Sequence, residues 1–176
     1  MADVSPEFFS HAQRVQELLS HNLSEADTRV RLIDPVLAIL GYVGVSDLRR
    51  EVPIPASREF VDYELRIDDR PLVVVEAKAL RHVITDQDAA QCVSYASVLG
   101  APWCLITNGL SWQLYYAYAT GPLASKRIAQ VRIDSDQRSL SEAWRVLSLI
   151  TRDSLSQANP LTKLLVERVV IDELVF

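Results

Sequence analysis

Between Phe60 and Tyr95 the chain sets out side chains able to do phosphoryl chemistry: Asp62, then Glu76-Ala77-Lys78, then Gln91 and Tyr95. Glu76 and Lys78 are two apart, so on a strand they leave the same face of a sheet. The run Val73-Val74-Val75 before them is apolar. A Glu and a Lys at the end of such a strand carry a desolvation cost that must be offset by each other, a metal or a substrate. If a hairpin brings Asp62 beside Glu76, two carboxylates converge. That is a donor set for a hard cation such as Mg²⁺ or Mn²⁺, which prefers oxygen and keeps waters. Lys78 would then stand near a metal-bound water, where it could orient or deprotonate it, or stabilise charge building on a phosphoryl group. Gln91 and Tyr95 lie at i and i+4, on one helix face, and both can hydrogen-bond phosphate oxygens or the carboxylates. The plainer reading of the same residues is an ordinary Glu76–Lys78 ion pair, a solvated Asp62, an exposed Gln91 and a half-buried Tyr95.

The elements that must position these residues follow from periodicity. Ser5-Pro6 is a cap and first-turn proline for a helix carrying Phe8, Val15, Leu18 and Leu19. Ser24 or Asp27 caps a second, with Val30, Ile33, Val36, Leu37 and Leu40 on one face and Gly41 as its stop. Pro35 lies inside that pattern and predicts a kink or break. Strands are predicted over Arg49–Ile54, Phe60–Ile67 and Leu72–Ala79, the last two joined by the turn Asp68-Asp69-Arg70-Pro71. A helix over Asp86–Leu99 closes at Gly100, and Pro102–Thr107 and Ser111–Tyr118 form a hairpin about Asn108-Gly109. Lys126–Ile133 is a last strand and Leu140–Ile150 a helix. Asn159-Pro160 opens a final helix, before an apolar tail, VVIDELVF, that packs on its own domain or on a second subunit.

Composition narrows the classes. With 176 residues, 49% hydrophobic and 23% charged, the chain can build a core without staples, as one domain over residues 1–176. No apolar run reaches the ~20 residues of a membrane span, and the start MADVSPEFF is not a secretory signal. Two cysteines, Cys92 and Cys104, suit a reduced, cytoplasmic protein and lack zinc-site spacing. Lys plus Arg number 18 against 23 Asp plus Glu, a net charge of −5. That opposes a dedicated nucleic-acid coat, since phosphate contacts need positive charge. A metal site brings its own cations, and local patches such as Arg49, Arg50 and Arg58, or Arg66 and Arg70, remain open. Five glycines and no GxxxxGK[ST] run exclude a nucleotide-cradling loop. Ser94 and Ser97 have no His or acid at nucleophile-elbow spacing, so serine hydrolysis is not indicated.

The order Asp62, Glu76-Ala77-Lys78, Gln91-x-x-x-Tyr95 resembles the PD-(D/E)XK nuclease superfamily, and within it the N-terminal nuclease domain of type I restriction enzyme R subunits and their standalone relatives. The likeness extends to Glu25-x-x-Thr28-Arg29, Leu32-Ile33-Asp34-Pro35-Val36-Leu37, Leu40-Gly41-Tyr42, Phe60-Val61-Asp62-Tyr63, and Leu105-Ile106-Thr107-Asn108-Gly109 with Trp112. It covers roughly residues 23–119, with a C-terminal helical extension over about 138–176. The resemblance implies an α/β (α+β) restriction-endonuclease-like fold, a mixed central sheet flanked by helices, and a Mg²⁺-dependent endonuclease acting on DNA. It places Asp62 and Glu76 on the metal carboxylates, Lys78 on the catalytic lysine, Gln91 and Tyr95 on an accompanying Gln-x-x-x-Tyr motif, and Glu25 on an acid of the first helical region that reaches the metal in some relatives. In R subunits a translocating ATPase follows the nuclease, and 176 residues leave no room for one, so a separate targeting or motor subunit, or a homodimer, is the expected partner. The alternative is a catalytically silent nuclease-fold module that binds nucleic acid or a partner in a defence or repair assembly. Three weaker candidates stand beside the main series: His82 near Lys78, the amides of Thr107-Asn108-Gly109 as phosphate contacts, and Trp103, Trp112, Tyr115, Tyr116 and Tyr118 as base-stacking surfaces, against their ordinary use as core and cross-strand pairs.

Overall fold

The structure, a computed structural model, describes residues 4–157. Six strands form one mixed sheet in sequence order: β1 (Leu48–Pro53), β2 (Phe60–Ile67), β3 (Arg70–Ala77), β4 (Trp103–Thr107), β5 (Ser111–Tyr116) and β6 (Arg127–Arg132). All neighbours pair antiparallel except β3 and β4, which are parallel. A parallel pair needs a crossover, and helix α4 (Asp86–Leu99) supplies it. Thr85 and Asp88 cap α4 reciprocally, and Gly100 stops it at φ 75°, a left-handed position natural to glycine.

The remaining helices are α1 (Pro6–Leu18), α2 (Glu25–Thr28), α3 (Asp34–Ile39), α5 (Leu123–Lys126), α6 (Gln137–Leu147) and α7 (Arg152–Gln157). Two apolar cores result. On one side Phe8, Leu32, Leu37, Leu140 and Leu147 meet Tyr63, Leu65, Val73, Val75 and Leu105 of the sheet. On the other, Ala89, Cys92 and Ala96 of α4 cover Val74, Cys104 and Ile106. Successive residues of β3 thus serve both cores, which is why the strand reads as unbroken Val.

The structure refines several sequence expectations. Between α2 and α3 the chain continues as a π-helical turn, Arg29–Ile33, with the Asp34 N–H bonded to the Arg29 carbonyl. Pro35 lacks an N–H and its ring crowds the carbonyl four residues back; the wider turn is how the helix passes the proline instead of breaking there. Ser24, not Asp27, caps α2, accepting from the Asp27 N–H. The β2–β3 turn is shorter than expected: Asp68 and Asp69 alone, at φ 47° and 61°, make it, the two-positive-φ geometry that matches strand twist. Arg70 and Pro71 belong to β3, which ends at Ala77, so Lys78 lies just beyond the strand, its N–H on the Thr107 carbonyl at 2.8 Å. Lys126 closes α5 and is not in β6, and the predicted last turn of α6 is a 3₁₀ turn, Ser148–Ile150. The final helix expected from Asn159-Pro160 and the tail VVIDELVF lie outside the described residues. Among those described, no helix is long and apolar enough to cross a membrane.

Candidate active site

The site forms at the C-terminal end of β3, where the two carboxylates meet. Tyr63 pairs with Val75, so one step further along the ladder Asp62 comes to Glu76. Asp62 Oδ2 accepts the Ala77 N–H at 2.8 Å. Its Oδ1 is 3.0 Å from Arg29 Nη1. Burial raises the Asp62 carboxyl above its ordinary range, against the pull of the Ala77 N–H, Arg29 and Lys78.

Glu76 is the most perturbed acid here. It is 8% exposed. Its Oε1 accepts from Lys78 Nζ at 2.9 Å, while Oε2 is buried with no hydrogen-bond partner. Burial pushes its pKa up to about 7; the Lys78 bond opposes this, and the negative charges of Asp62 and Glu25 add to it. Lys78 is itself raised. Burial works against its charge, but the bond to Glu76 and the charges of Glu76, Glu25 and Asp88 outweigh that cost. Lys78 therefore stays an ammonium, and Glu76 is the carboxyl of the site that burial most favours protonating.

The other expected site residues divide. Glu25 opens α2 and is exposed; it reaches Glu76 and Lys78 through its charge. Tyr95 is buried on α4 and donates its O–H to Glu59 Oε2 at 2.6 Å. Burial and that bond raise its pKa, with Gln91 bonding to it from the turn before. Gln91 itself is exposed. His82 bonds Asp88 at 2.8 Å on the loop after Lys78. The Thr107-Asn108-Gly109 segment is spent internally. Asn108 Oδ1 accepts from the Leu110 and Ser111 N–H groups, its Nδ2 donates to the His82 carbonyl, and the Gly109 N–H donates to Thr107 Oγ1. Those atoms build a turn and tie down the His82 loop, so they are not phosphate contacts. Trp103, Trp112 and Tyr115 are buried at about 1% exposure and offer no stacking face; Tyr116 packs on Trp103, and Tyr118 is the exposed one, past the far end of β5.

Three contributors escaped the sequence reading. Arg29 pairs with Asp62. Thr28 Oγ1 accepts the Leu80 N–H at 3.0 Å, anchoring the segment after Lys78. Glu59 receives Tyr95. The signal for the first two was Glu25-x-x-Thr28-Arg29, whose i, i+3, i+4 spacing puts all three on one helix face. Glu59 left no signal, being brought to α4 only by the β1–β2 turn.

The donor set fits a hard dication in one respect and is lean in another. Asp62 and Glu76 are adjacent, and Glu76 Oε2 is an oxygen without a partner. Among the described residues, no three His, Cys, Asp or Glu side chains gather as a metal-binding group. Two carboxylates suffice only for an ion that keeps several waters, the habit of Mg²⁺.

A mixed sheet with one parallel pair, flanked by helices, and a carboxylate–lysine cluster at the end of that pair define a restriction-endonuclease-like domain. The family described as type I restriction enzyme R protein N terminus matches residues 25–128. The chain belongs to that family, which covers all the residues just described. No curated protein matches the sequence. Among solved structures, the chain is similar to a fragment described as an HsdR subunit of a type I restriction enzyme from Vibrio vulnificus YJ016, at 21% identity and TM-score 0.52. The match covers 72% of this chain and 26% of that one; this chain thus spans about a quarter of that fragment. At that identity the likeness concerns the fold.

Proposed function

We propose that the chain is a Mg²⁺- or Mn²⁺-dependent deoxyribonuclease domain of the type I restriction R-subunit kind, working in the cytoplasm on DNA alongside a separate targeting or motor subunit. The observation that carries this reading is Glu76: a buried carboxylate with one oxygen on Lys78 and the other unspent, next to Asp62. Leaving a buried acceptor unpaired costs about 1–3 kcal/mol, which a fold tolerates where a ligand will use the atom.

Asp62 and Glu76 would hold the ion. Bound there, it would supply an activated water and Lewis-acid stabilisation of the phosphodiester. Lys78, kept charged by Glu76 and Glu25, offers N–H donors to the attacking oxygen or to the charge that develops on the phosphoryl oxygens. The Ala77 N–H fixes the rotamer of Asp62. Tyr95, with its proton committed to Glu59, holds the β1–β2 turn against α4 and so acts as a positioning residue, with Gln91 beside it on the solvent side.

A second reading, a silent module that binds nucleic acid or a partner protein, is favoured by the Arg29–Asp62 pair, which already neutralises one carboxylate. Plasmid cleavage with Mg²⁺ or Mn²⁺, beside Lys78→Ala and an EDTA control, separates the two when combined with Mn²⁺ calorimetry on Asp62→Asn and Glu76→Gln. The nuclease reading expects cutting by the native chain alone and Mn²⁺ binding lost in both carboxylate variants. Neither cutting nor Mn²⁺ binding by the native chain would leave the silent module.

A further inference from the structure

A pair of arginines beside the carboxylates is built with more care than an ion pair needs. The guanidinium carbons of Arg29 and Arg50 each lie 5.1 Å from the centre of the Tyr63 ring. Asp34 fixes the group: its Oδ1 accepts from the Tyr63 hydroxyl at 2.7 Å and from Arg50 Nη1 at 2.8 Å. Arg29 bonds the same hydroxyl through Nε at 3.4 Å and reaches Asp62 and Glu51 through Nη1 at 3.0 and 3.5 Å. Two like charges on one ring repel, so the three carboxylates are needed to hold them together.

Two unusual backbone features lie at or next to these residues. Arg29 is the first residue of the π-helical turn, a local form found often at functional sites. Glu51, next to Arg50, has φ 50°, an uncommon conformation for a residue with a side chain and one that persists where the surroundings impose it. The positive φ falls on Glu51, the residue whose carboxylate stands 3.5 Å from Arg29 Nη1 and so helps hold the two cations together.

We propose that Arg29 and Arg50 are phosphate-holding residues for the DNA strand, Arg29 at the phosphate beside Asp62 and Arg50 at a neighbouring phosphate toward β1; this rests on the nuclease reading above. Arginine suits the task because its planar fork of five donors binds phosphate in two-pronged fashion and stacks on aromatic faces, neither of which lysine does. Arg50 has 46% of its side chain exposed, so much of its fork faces solvent. A cleft of about 490 Å³ continues from it along the outer edge of β1, lined by Arg49, Arg50, Val43 and Val45. Glu51 also lines it, its carboxylate turned to Arg29, so the arginines are the cations this cleft offers to a strand leaving the carboxylates.

The test is duplex binding with Mg²⁺ in a Lys78→Ala background, which keeps the carboxylates and should cut too slowly to consume the duplex during the measurement. Affinity would be measured across a salt series for Arg29→Ala, Arg50→Ala and the two Arg→Lys variants, with melting temperatures alongside. Each alanine variant is expected to reduce the slope of log affinity against log salt by about 0.9, the share of one phosphate contact. Lysine should restore the slope but not, for Arg29, the cleavage rate once Lys78 is put back. Alanine variants that melt lower yet keep the parent slope would overturn the proposal and leave a structural tether. If the parent chain shows no salt-dependent duplex binding at all, the nuclease reading falls and this proposal with it.

Discussion

The two hairpins at the centre of the sheet carry equally prominent sequence motifs and use them in opposite ways. β2–β3 holds Asp62 and Glu76; β4–β5 holds Thr107-Asn108-Gly109 and Trp112. In the second, the polar atoms of the motif close on themselves. Thr107 Oγ1 donates to the Ser111 carbonyl and accepts from Gly109, Asn108 closes the turn, and Trp112 Nε1 donates to the Gly109 carbonyl at 3.2 Å. In the first, Glu76 Oε2 is left over and the Glu76 carboxyl is pushed up to about 7 by burial. A motif that completes its own hydrogen bonds is architecture. One that ends with a buried charge half-answered is poised for something outside the chain. An unpaired atom alone is not the criterion, since His11 Nε2 and Trp103 Nε1 are also buried without partners; in Glu76 the unpaired atom coincides with charges gathered from separate elements.

That contrast can be broken from either side. Lys78→Ala should cost on the order of 10²–10³-fold in cleavage, the scale of losing one charge-stabilising donor, with the melting temperature little changed. A large drop in melting temperature would move Lys78 into the architectural class. Gly109→Ala should do the reverse. Gly109 has φ 83°, and an added Cβ would meet Leu32 Cβ at 2.8 Å, so a loss of about 2–4 kcal/mol is expected by denaturant unfolding, with activity falling only as folded protein is lost. Asn108→Ala removes both accepted amide bonds and the tie to the His82 loop; about 2 kcal/mol should follow, and residual cleavage per folded molecule should stay near normal.

The smallest effect concerns His11, whose unpaired atom serves no site. Burial, with Arg14 adding, lowers its pKa to about 4, while a backbone bond to Leu32 opposes the shift. The unfolded chain therefore takes up a proton near pH 6.5 and the folded chain only near 4. Stability contributed by neutral His11 is complete above about 6.5, declines as pH falls through the window, and is gone below about 4. His11→Leu should flatten that stretch of the stability–pH profile, by about 1–2 kcal/mol at pH 5, without touching cleavage. Unfolding midpoints at pH 5 and pH 7.5 check it.

Much of the scaffold was legible because its signals are local. Phe60–Ile67 and Asp86–Leu99 were bounded by turn residues and caps that the structure uses. The two-apart spacing of Glu76 and Lys78 translated directly into a 2.9 Å contact. Pro35 told where the helix would be disturbed but not how, since kink, break and π turn all relieve the same clash. Arg29 was in view as part of a motif, yet its partner Asp62 lies 33 positions away and is set by how the π turn meets β2. Glu59 depended on a turn whose path no local residue dictates. The charges were readable; which of them would share a proton, a ring or a carboxylate was a property of the assembled sheet.

The single parallel pairing has a consequence for how the protein comes into being. The antiparallel pairings β1–β2, β2–β3 and β4–β5 join strands linked by a turn or short loop, and β5–β6 needs only segment 117–126 with the four-residue α5, whereas β3 and β4 can meet only after the whole of α4 has been threaded between them. Contacts that close long loops form late and slow folding. Lys78 takes its backbone anchor, the Thr107 carbonyl, across that junction, and Tyr95 reaches Glu59 only once α4 has docked. A nascent or partly opened chain that held both hairpins would bring Asp62, Glu76 and Lys78 together yet lack the Thr107 anchor of Lys78 and the Tyr95–Glu59 tie, so the cluster acquires its fixed geometry only when folding is complete.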